Sequence, residues 1–242
     1  MKNKVVDSFD AAVADIPDGA SIMIGGFGPP GFPQNLVAAL LRTSATDLTI
    51  ISNRADQLWA KAHPGMLVEQ GRVKKVYCAF SAATHPSQAA EFDRLHEAGA
   101  FEAELMPQGT LVERIRAAAG GLGGIYTQAG VGTEIAIGKE HKEINGKTYI
   151  LELPLAADYA FIRASRADTY GNLQFELTQR NFAPIMAMAA RTTLVEIEDE
   201  IVPIGAIDPS HVHTPGICVD RIIKIPPAPE GLWTTPADRR AA

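Results

Sequence analysis

Cysteine is nearly missing from this chain: Cys78 and Cys218 are the two in 242 residues, and each sits inside an apolar run. That excludes a disulfide framework and fits buried, reduced thiols in the cytoplasm. Basic residues are also short, 22 Lys and Arg against 28 Asp and Glu, for a formal charge of −6. No basic stripe is left for nucleic acid. No stretch approaches the ~20 apolar residues of a membrane-spanning helix, and Met1 to Asp7 has no apolar signal core. The six histidines (63, 85, 96, 141, 211 and 213) are scattered without a recurring metal spacing. The reading is a soluble, cytoplasmic protein with no metal site, nucleic acid or membrane partner.

What the chain does have is glycine and proline in one place. The apolar Ile22-Met23-Ile24 empties into Gly25-Gly26-Phe27-Gly28-Pro29-Pro30-Gly31-Phe32-Pro33. Glycines let another molecule approach the main chain closely, and prolines reduce the entropy lost on ordering the loop. The next segment, Gln34 to Arg42, has apolar residues at helical spacing, so its N-terminal amides would face the same space and favour an anionic or carbonyl ligand. A plain structural turn would use the same residues. The loop does not end in the Gly-Lys-Ser/Thr of a P-loop.

With 46% hydrophobic and 21% charged residues, the chain can bury a sizeable core. Strands are predicted at 21–24, 47–52, 72–80, 101–106, 159–164, 173–175 and 193–197. Helices are predicted at 8–16, 33–42, around 57–62, and at 89–98, 110–119 and 184–191. Asn145-Gly146, between β-prone runs, predicts a hairpin. This alternation is the mark of an α/β fold with an open, mostly parallel sheet and flanking helices. Residues 1–225 form one domain in this reading, followed by a proline-rich tail at 226–242.

Candidate polar groups sit where strands end. Asn53, after the second strand, could donate to an oxyanion or simply cap a helix. Gln108 could offer its amide to a carboxylate or a thioester carbonyl, while Thr110 reads as a helix N-cap with Glu113 three residues on. Gly130-Val131-Gly132-Thr133 is a second glycine loop, either a turn or a wall of the same pocket. Arg114 and Arg116 read as a solvated helix face, and His211-x-His213 as polar loop residues. Neither cysteine has a basic neighbour to make it a nucleophile.

Asp18-Gly19, the apolar 22–24 run, Gly25-Gly26-Phe27, Gly31 and Pro33 together resemble the signature of the A (α) subunit of family I 3-oxoacid CoA transferases. Similar stretches continue through 107–116, 130–133, 167–173, 180–182, 186–190 and 213–217. The resemblance implies the open α/β sheet shared with phosphosugar isomerases. It implies transfer of CoA from a succinyl-type acyl-CoA to a 3-oxoacid or 3-oxoadipate-like acid, with CoA as substrate and no permanently bound cofactor. The nucleophilic glutamate would belong to a partner B (β) subunit in an α2β2 assembly, so this chain would carry no catalytic nucleophile. Glu152 reads as a strand residue. Gly25, Gly26, Phe27, Gly28, Gly31, Asn53, Gln108, Gly130, Gly132 and Thr133 are then the substrate- and CoA-binding candidates.

One departure stands out: Ser52-Asn53-Arg54-Ala55-Asp56 replaces the family's Ser-Asn-Asn-Ala-Gly. Arg54 would face solvent or pair with a second carboxylate on a dicarboxylic substrate. Leu153-Pro154-Leu155 leans toward the 3-oxoadipate branch. The alternatives are a phosphosugar isomerase or hydrolase on the same fold, with phosphate in the glycine loops, and a ligand-sensing domain that needs no partner.

Overall fold

The computed structural model describes residues 2–54, 60–81 and 91–227. In chain order the strands are β1 (Ser21–Ile24), β2 (Leu48–Ser52), β3 (Val73–Cys78), β4 (Glu102–Leu105), β5 (Ile125–Thr127) and β6 (His141–Ile144). They continue with β7 (Lys147–Glu152), β8 (Ala157–Asp168), β9 (Leu173–Gln174), β10 (Ala190–Val202) and β11 (Arg221–Lys224). The helices are α1 (Phe9–Val13), α2 (Gln34–Arg42), α3 (Pro64–Glu69), α4 (Glu91–Glu97), α5 (Gln108–Ala119) and α6 (Ala183–Ala189).

The main sheet runs in the order β11-β10-β8-β1-β2-β3-β4, all parallel, with β9 added antiparallel beside β8. The chain walks outward from β1 through β4 and then returns to the other flank of β1 as β8. Strand order therefore reverses between β1 and β8. In open α/β sheets that reversal leaves a crevice at the carboxyl ends of the strands, because the following connections leave toward opposite faces. The glycine loop after β1 emerges there, anchored by the Gly25 N–H donating to the Phe161 carbonyl at 2.9 Å.

Strands buried on both faces read as continuous apolar runs rather than alternating ones, which is why Ile22-Met23-Ile24 is so short and so greasy. Ile22, Ile24, Ile50, Phe161 and Leu194 face α1, α2, α3 and α4, packing on Leu36, Val37, Leu40, Leu67 and Phe92. Met23, Ile51, Ala160, Ile162 and Val195 face α5 and α6, packing on Leu111, Ile115, Ala183 and Met186. Each fully buried Leu, Ile or Phe among these contributes about 1.5–3 kcal/mol. A separate three-stranded antiparallel sheet, β5-β7-β6, lies outside the main one. Its β6–β7 hairpin turns on Asn145 (φ 51°) and Gly146 (φ 72°), the two positive-φ positions that Asn-Gly supplies.

Several expectations need correcting. The helix expected around 57–62 lies partly outside the described residues, and 60–62 are not helical; the helix comes later, as α3, with Pro64 in its first turn. Proline fits there because the first helical N–H has no partner within the helix anyway. The start of the helix expected at 89–98 falls outside the described residues, as do 228–242 of the expected tail. β5 and β11 were not foreseen, and β8 and β10 run well past the expected 159–164 and 193–197. Their extensions carry Ser165, Asp168 and Glu198, buried polar side chains that hide strands from a search for apolar runs.

Candidate active site

The first glycine loop is rigid because its glycines are needed sterically. Gly26 has φ 102°, and a Cβ there would lie 2.8 Å from the Phe32 Cα. Gly31 has φ 73°, and its Cβ would fall 2.5 Å from the Gln179 carbonyl oxygen and 2.9 Å from the Asn181 amide nitrogen. The loop is thereby pressed against the 3-10 turn Leu177–Arg180 and Asn181, whose Nδ2 donates to the Pro30 carbonyl at 3.0 Å. Phe27 donates its N–H to the Pro30 carbonyl at 3.2 Å, closing the turn around Gly28, and leaves its own ring 51% exposed. Of the loop candidates, Gly25, Gly26 and Gly31 are buried and Gly28 is half-buried.

The amides of α2 do not face a ligand space, contrary to the sequence reading. Glu196, fully buried on β10, accepts from the Asn35 N–H at 2.9 Å and the Leu36 N–H at 3.1 Å, filling the helix N-terminus with an internal carboxylate. Arg163 on β8 lies 3.7 Å from Glu196 and 3.0 Å from Glu198, and Gln179 donates to Glu198 at 2.8 Å. Burial pushes the Glu196 carboxyl up to about 7, opposed by Arg163 and then by the Leu36 and Asn35 N–H groups. Burial also raises Glu198, again against Arg163. No motif pointed to this cluster; the one signal in the sequence was charge within a long β-prone run.

A different helix offers its N-terminus at the carboxyl edge. α5 begins at Gln108, with Pro107 as N-cap and no side chain capping the first turn. Thr110 is not the N-cap expected: it lies inside the helix, buried, with its hydroxyl unpartnered. Proline made the earlier start possible, since its preset backbone places the Leu111 N–H on the Pro107 carbonyl at 3.0 Å. Exposed Gln108 donates from Nε2 to the Oδ1 of buried Asn53 at 2.6 Å. The two sequence candidates thus meet. The pairing turns the Asn53 Nδ2 donors away from Gln108 and leaves Gln108 a further N–H, beside the positive end of a helix dipole. Neutral donors so placed can stabilise an oxyanion without neutralising an attacking carboxylate.

The second glycine loop is carried by the small sheet. Thr133 Oγ1 donates to the Gly130 carbonyl at 2.7 Å and accepts from the Ile135 N–H at 3.3 Å, so Thr133 caps the short turn Glu134–Ala136. Gly130 packs on Ile135, while Gly132 and Thr133 are exposed. Glu134, Ile135 and Lys139 then line a cavity of about 610 Å³ with Ala79, Glu104 and Pro107, at the carboxyl ends of β3 and β4. Gly130, Gly132 and Thr133 themselves are not among its lining residues. Behind it, Arg114 is buried rather than solvated: it pairs with Glu104 at 2.6 Å and lies 3.7 Å from Glu152. Glu152 is a strand residue, on β7, and also holds Lys139 at 2.5 Å. Arg116 is exposed, as expected, and pairs with Glu113.

The other candidates lie elsewhere. His213 borders a second cavity of about 430 Å³ on the far extension of β8 and β10. Its Nδ1 accepts from the Phe175 N–H at 3.0 Å, and burial lowers its pKa. No group of three or more metal-ligating side chains occurs among the described residues, and no helix there is long and apolar enough to cross a membrane.

Residues 6–224 match the family model described as Coenzyme A transferase. The chain is 45% identical over 225 residues to the A subunit of the 3-oxoadipate CoA-transferase of Pseudomonas putida, covering 93% of this chain and 95% of that one. It is 43% identical over 221 residues to the A subunit of the probable succinyl-CoA:3-ketoacid coenzyme A transferase of Bacillus subtilis (strain 168), covering 91% and 89%. Among solved structures, an acyl-CoA transferase apoenzyme from Escherichia coli O157:H7 superposes with a TM-score of 0.78 at 25% identity. That match covers 97% of this chain and 49% of the other, so this chain spans about half of the longer transferase.

Proposed function

We propose, since the chain belongs to the coenzyme A transferase family, that it is the A (α) subunit of a heteromeric cytoplasmic enzyme moving CoA from a succinyl-type donor to a 3-oxoacid or 3-oxoadipate-like acid. The observation that carries this reading is the Asn53–Gln108 pair at the uncapped start of α5, in a chain 41–45% identical to named subunits of such transferases. Its partner is the B (β) subunit, in an α2β2 assembly. That this chain corresponds to half of a longer single-chain relative supports a second half supplied in trans. Phe27 in the glycine loop and the 86% exposed Leu177, which opens the turn packed on that loop, leave apolar surface for a second chain to cover.

In this reading a glutamate of the β chain attacks the thioester carbonyl of the donor. CoA thiolate leaves, and an acyl-glutamyl anhydride remains. The thiolate then attacks the glutamyl carbonyl, which releases the donor acid and forms a glutamyl-CoA thioester. The acceptor carboxylate repeats the sequence in reverse. Asn53 and Gln108 stabilise the oxyanions and orient the carboxylates, and the two glycine loops, with Gly25, Gly26, Phe27, Gly28, Gly31, Gly130, Gly132 and Thr133, form walls for the acyl-CoA.

The test is an exchange assay on the chain alone and co-expressed with its β partner. The pair transfers CoA and the lone chain does not, and Gln108→Ala in the pair lowers kcat by about 100–1,000-fold, the size of one lost oxyanion donor, with the complex still assembled. Full activity of the lone chain contradicts the reading.

A further inference from the structure

One cluster of charge supports the first glycine loop at two separate points. Arg163 on β8 faces two carboxylates of β10, with Nη1 3.7 Å from Glu196 and Nη2 3.0 Å from Glu198. Its Nε is buried without a hydrogen-bond partner, so the end of the fork carries the contacts. Strand pairing sets this arrangement. Arg163 lies opposite Glu196 in the parallel ladder, and the register shift between Ile197 and Glu200 keeps Glu198 within reach of the same guanidinium.

Each carboxylate holds a different part of the loop. Glu196 accepts the Asn35 and Leu36 N–H groups on Oε2 and the Asn35 Nδ2 at 3.3 Å on Oε1, where the loop becomes α2. Glu198 accepts from the Gln179 Nε2 at 2.8 Å, and the Gln179 carbonyl is the atom against which Gly31 is pressed. The loop's other end is fixed by the bond from the Gly25 N–H to Phe161, two residues before Arg163 on the same strand. Three buried charges add little net stability, because their desolvation offsets much of their attraction. A planar fork does fix the direction of both partners at once. We propose that Arg163 is a positioning residue for CoA transfer: by bridging Glu196 and Glu198 it locks the start of α2 to the Leu177–Arg180 turn, and so sets where the main chain of residues 25–33 meets the thioester. This rests on the CoA-transfer reading above, in which that loop walls the acyl-CoA. Arg166, three residues on, is the natural control. It pairs with Glu200 at 2.7 Å across the same two strands, and Glu200 is exposed and makes no bond to the loop or its turn among the described residues.

The experiment uses the assembled pair with saturating succinyl-CoA and either acetoacetate or 3-oxoadipate, whichever the wild type accepts. Each variant is read for kcat and, by mass spectrometry, for hydrogen exchange of residues 26–36 against the rest of the chain. In Arg163→Gln the segment carrying the Asn35 and Leu36 amides exchanges faster by about tenfold or more, the size of one lost charge-assisted contact. Turnover falls with it, by about 10–100-fold, the range reached when a remote change misplaces a reacting group by an ångström. Arg163→Lys, which keeps the charge but not the fork, recovers part of both. Arg166→Gln leaves both within about twofold of wild type, as expected of a surface pair. Glu198→Gln, which keeps the shape but removes the charge that Arg163 bridges, repeats the loss and carries the test if Arg163→Gln does not assemble. An Arg163→Gln pair with kcat within about twofold of wild type overturns the proposal, as does a fall in kcat without faster exchange in the loop. An equal fall in Arg166→Gln overturns it too, since it marks a general weakening of the sheet. A wild-type pair that transfers CoA to neither acid contradicts the transferase reading and the catalytic half of this proposal; the loop's exchange in Arg163→Gln then decides the clamp by itself.

Discussion

Glu196 occupies the place where the sequence suggested a ligand. A buried carboxylate on the first-turn amides of α2, held against Arg163, turns that helix from a binding element into a structural one. Its ionisation couples to folding. Unfolded, the carboxyl ionises near its ordinary 4.5; folded, it ionises near 7, so between these values the folded state holds more protons. Stability must then fall as pH rises through that window. Glu196→Gln keeps the shape and removes the proton, so its unfolding free energy loses this decline between about pH 4.5 and 7 relative to wild type. Chemical denaturation at several pH values measures it, and identical pH profiles would contradict the assignment. At this scale the sequence was legible where strands end: Asn53 and Gln108, both singled out because they follow strand ends, meet through one hydrogen bond. Glu196 and Arg163 were not singled out, because a cross-strand pair 33 positions apart leaves no local pattern. Arg114 was misread because an Arg-x-Arg pair looks the same whether one or both face water.

Among the elements, the glycine loop depends on the 3-10 turn that backs it. Leu177 opens that turn at φ 47°, a costly conformation for a non-glycine residue, and Glu176 and Gln179 cap each other there. The strain is tolerated because Gly31 lets the turn come close. Gly31→Ala adds both a left-handed alanine and a 2.5 Å clash with the Gln179 carbonyl, so it should lower stability by about 1–3 kcal/mol and disturb the loop. Gly28→Ala, where nothing lies within 4 Å of a new Cβ, adds only the backbone cost of its φ of 65° and serves as the control. Thermal unfolding of both variants reads the difference; equal losses would place the cost in the backbone rather than in the packing. Strands with continuous apolar runs were legible in order and type, as was the Asn145-Gly146 turn. β11 and the long ends of β8 and β10 were not, because tertiary pairing rather than local propensity holds their polar residues extended.

For the whole molecule, the return of the chain from β4 to β8 creates the crevice, and the carboxyl edge gathers the glycine loop, the Asn53–Gln108 pair and the start of α5. In the proposed reading this edge binds and polarises the substrate, and another chain completes the chemistry. Trapping the covalent intermediate tests this most directly. The assembled pair is incubated with succinyl-CoA, the thioester is reduced with borohydride, and both chains are weighed and sequenced by mass spectrometry. The expected result is a modified glutamate on the β partner and none in this chain; a CoA thioester on any glutamate of these 242 residues would contradict it.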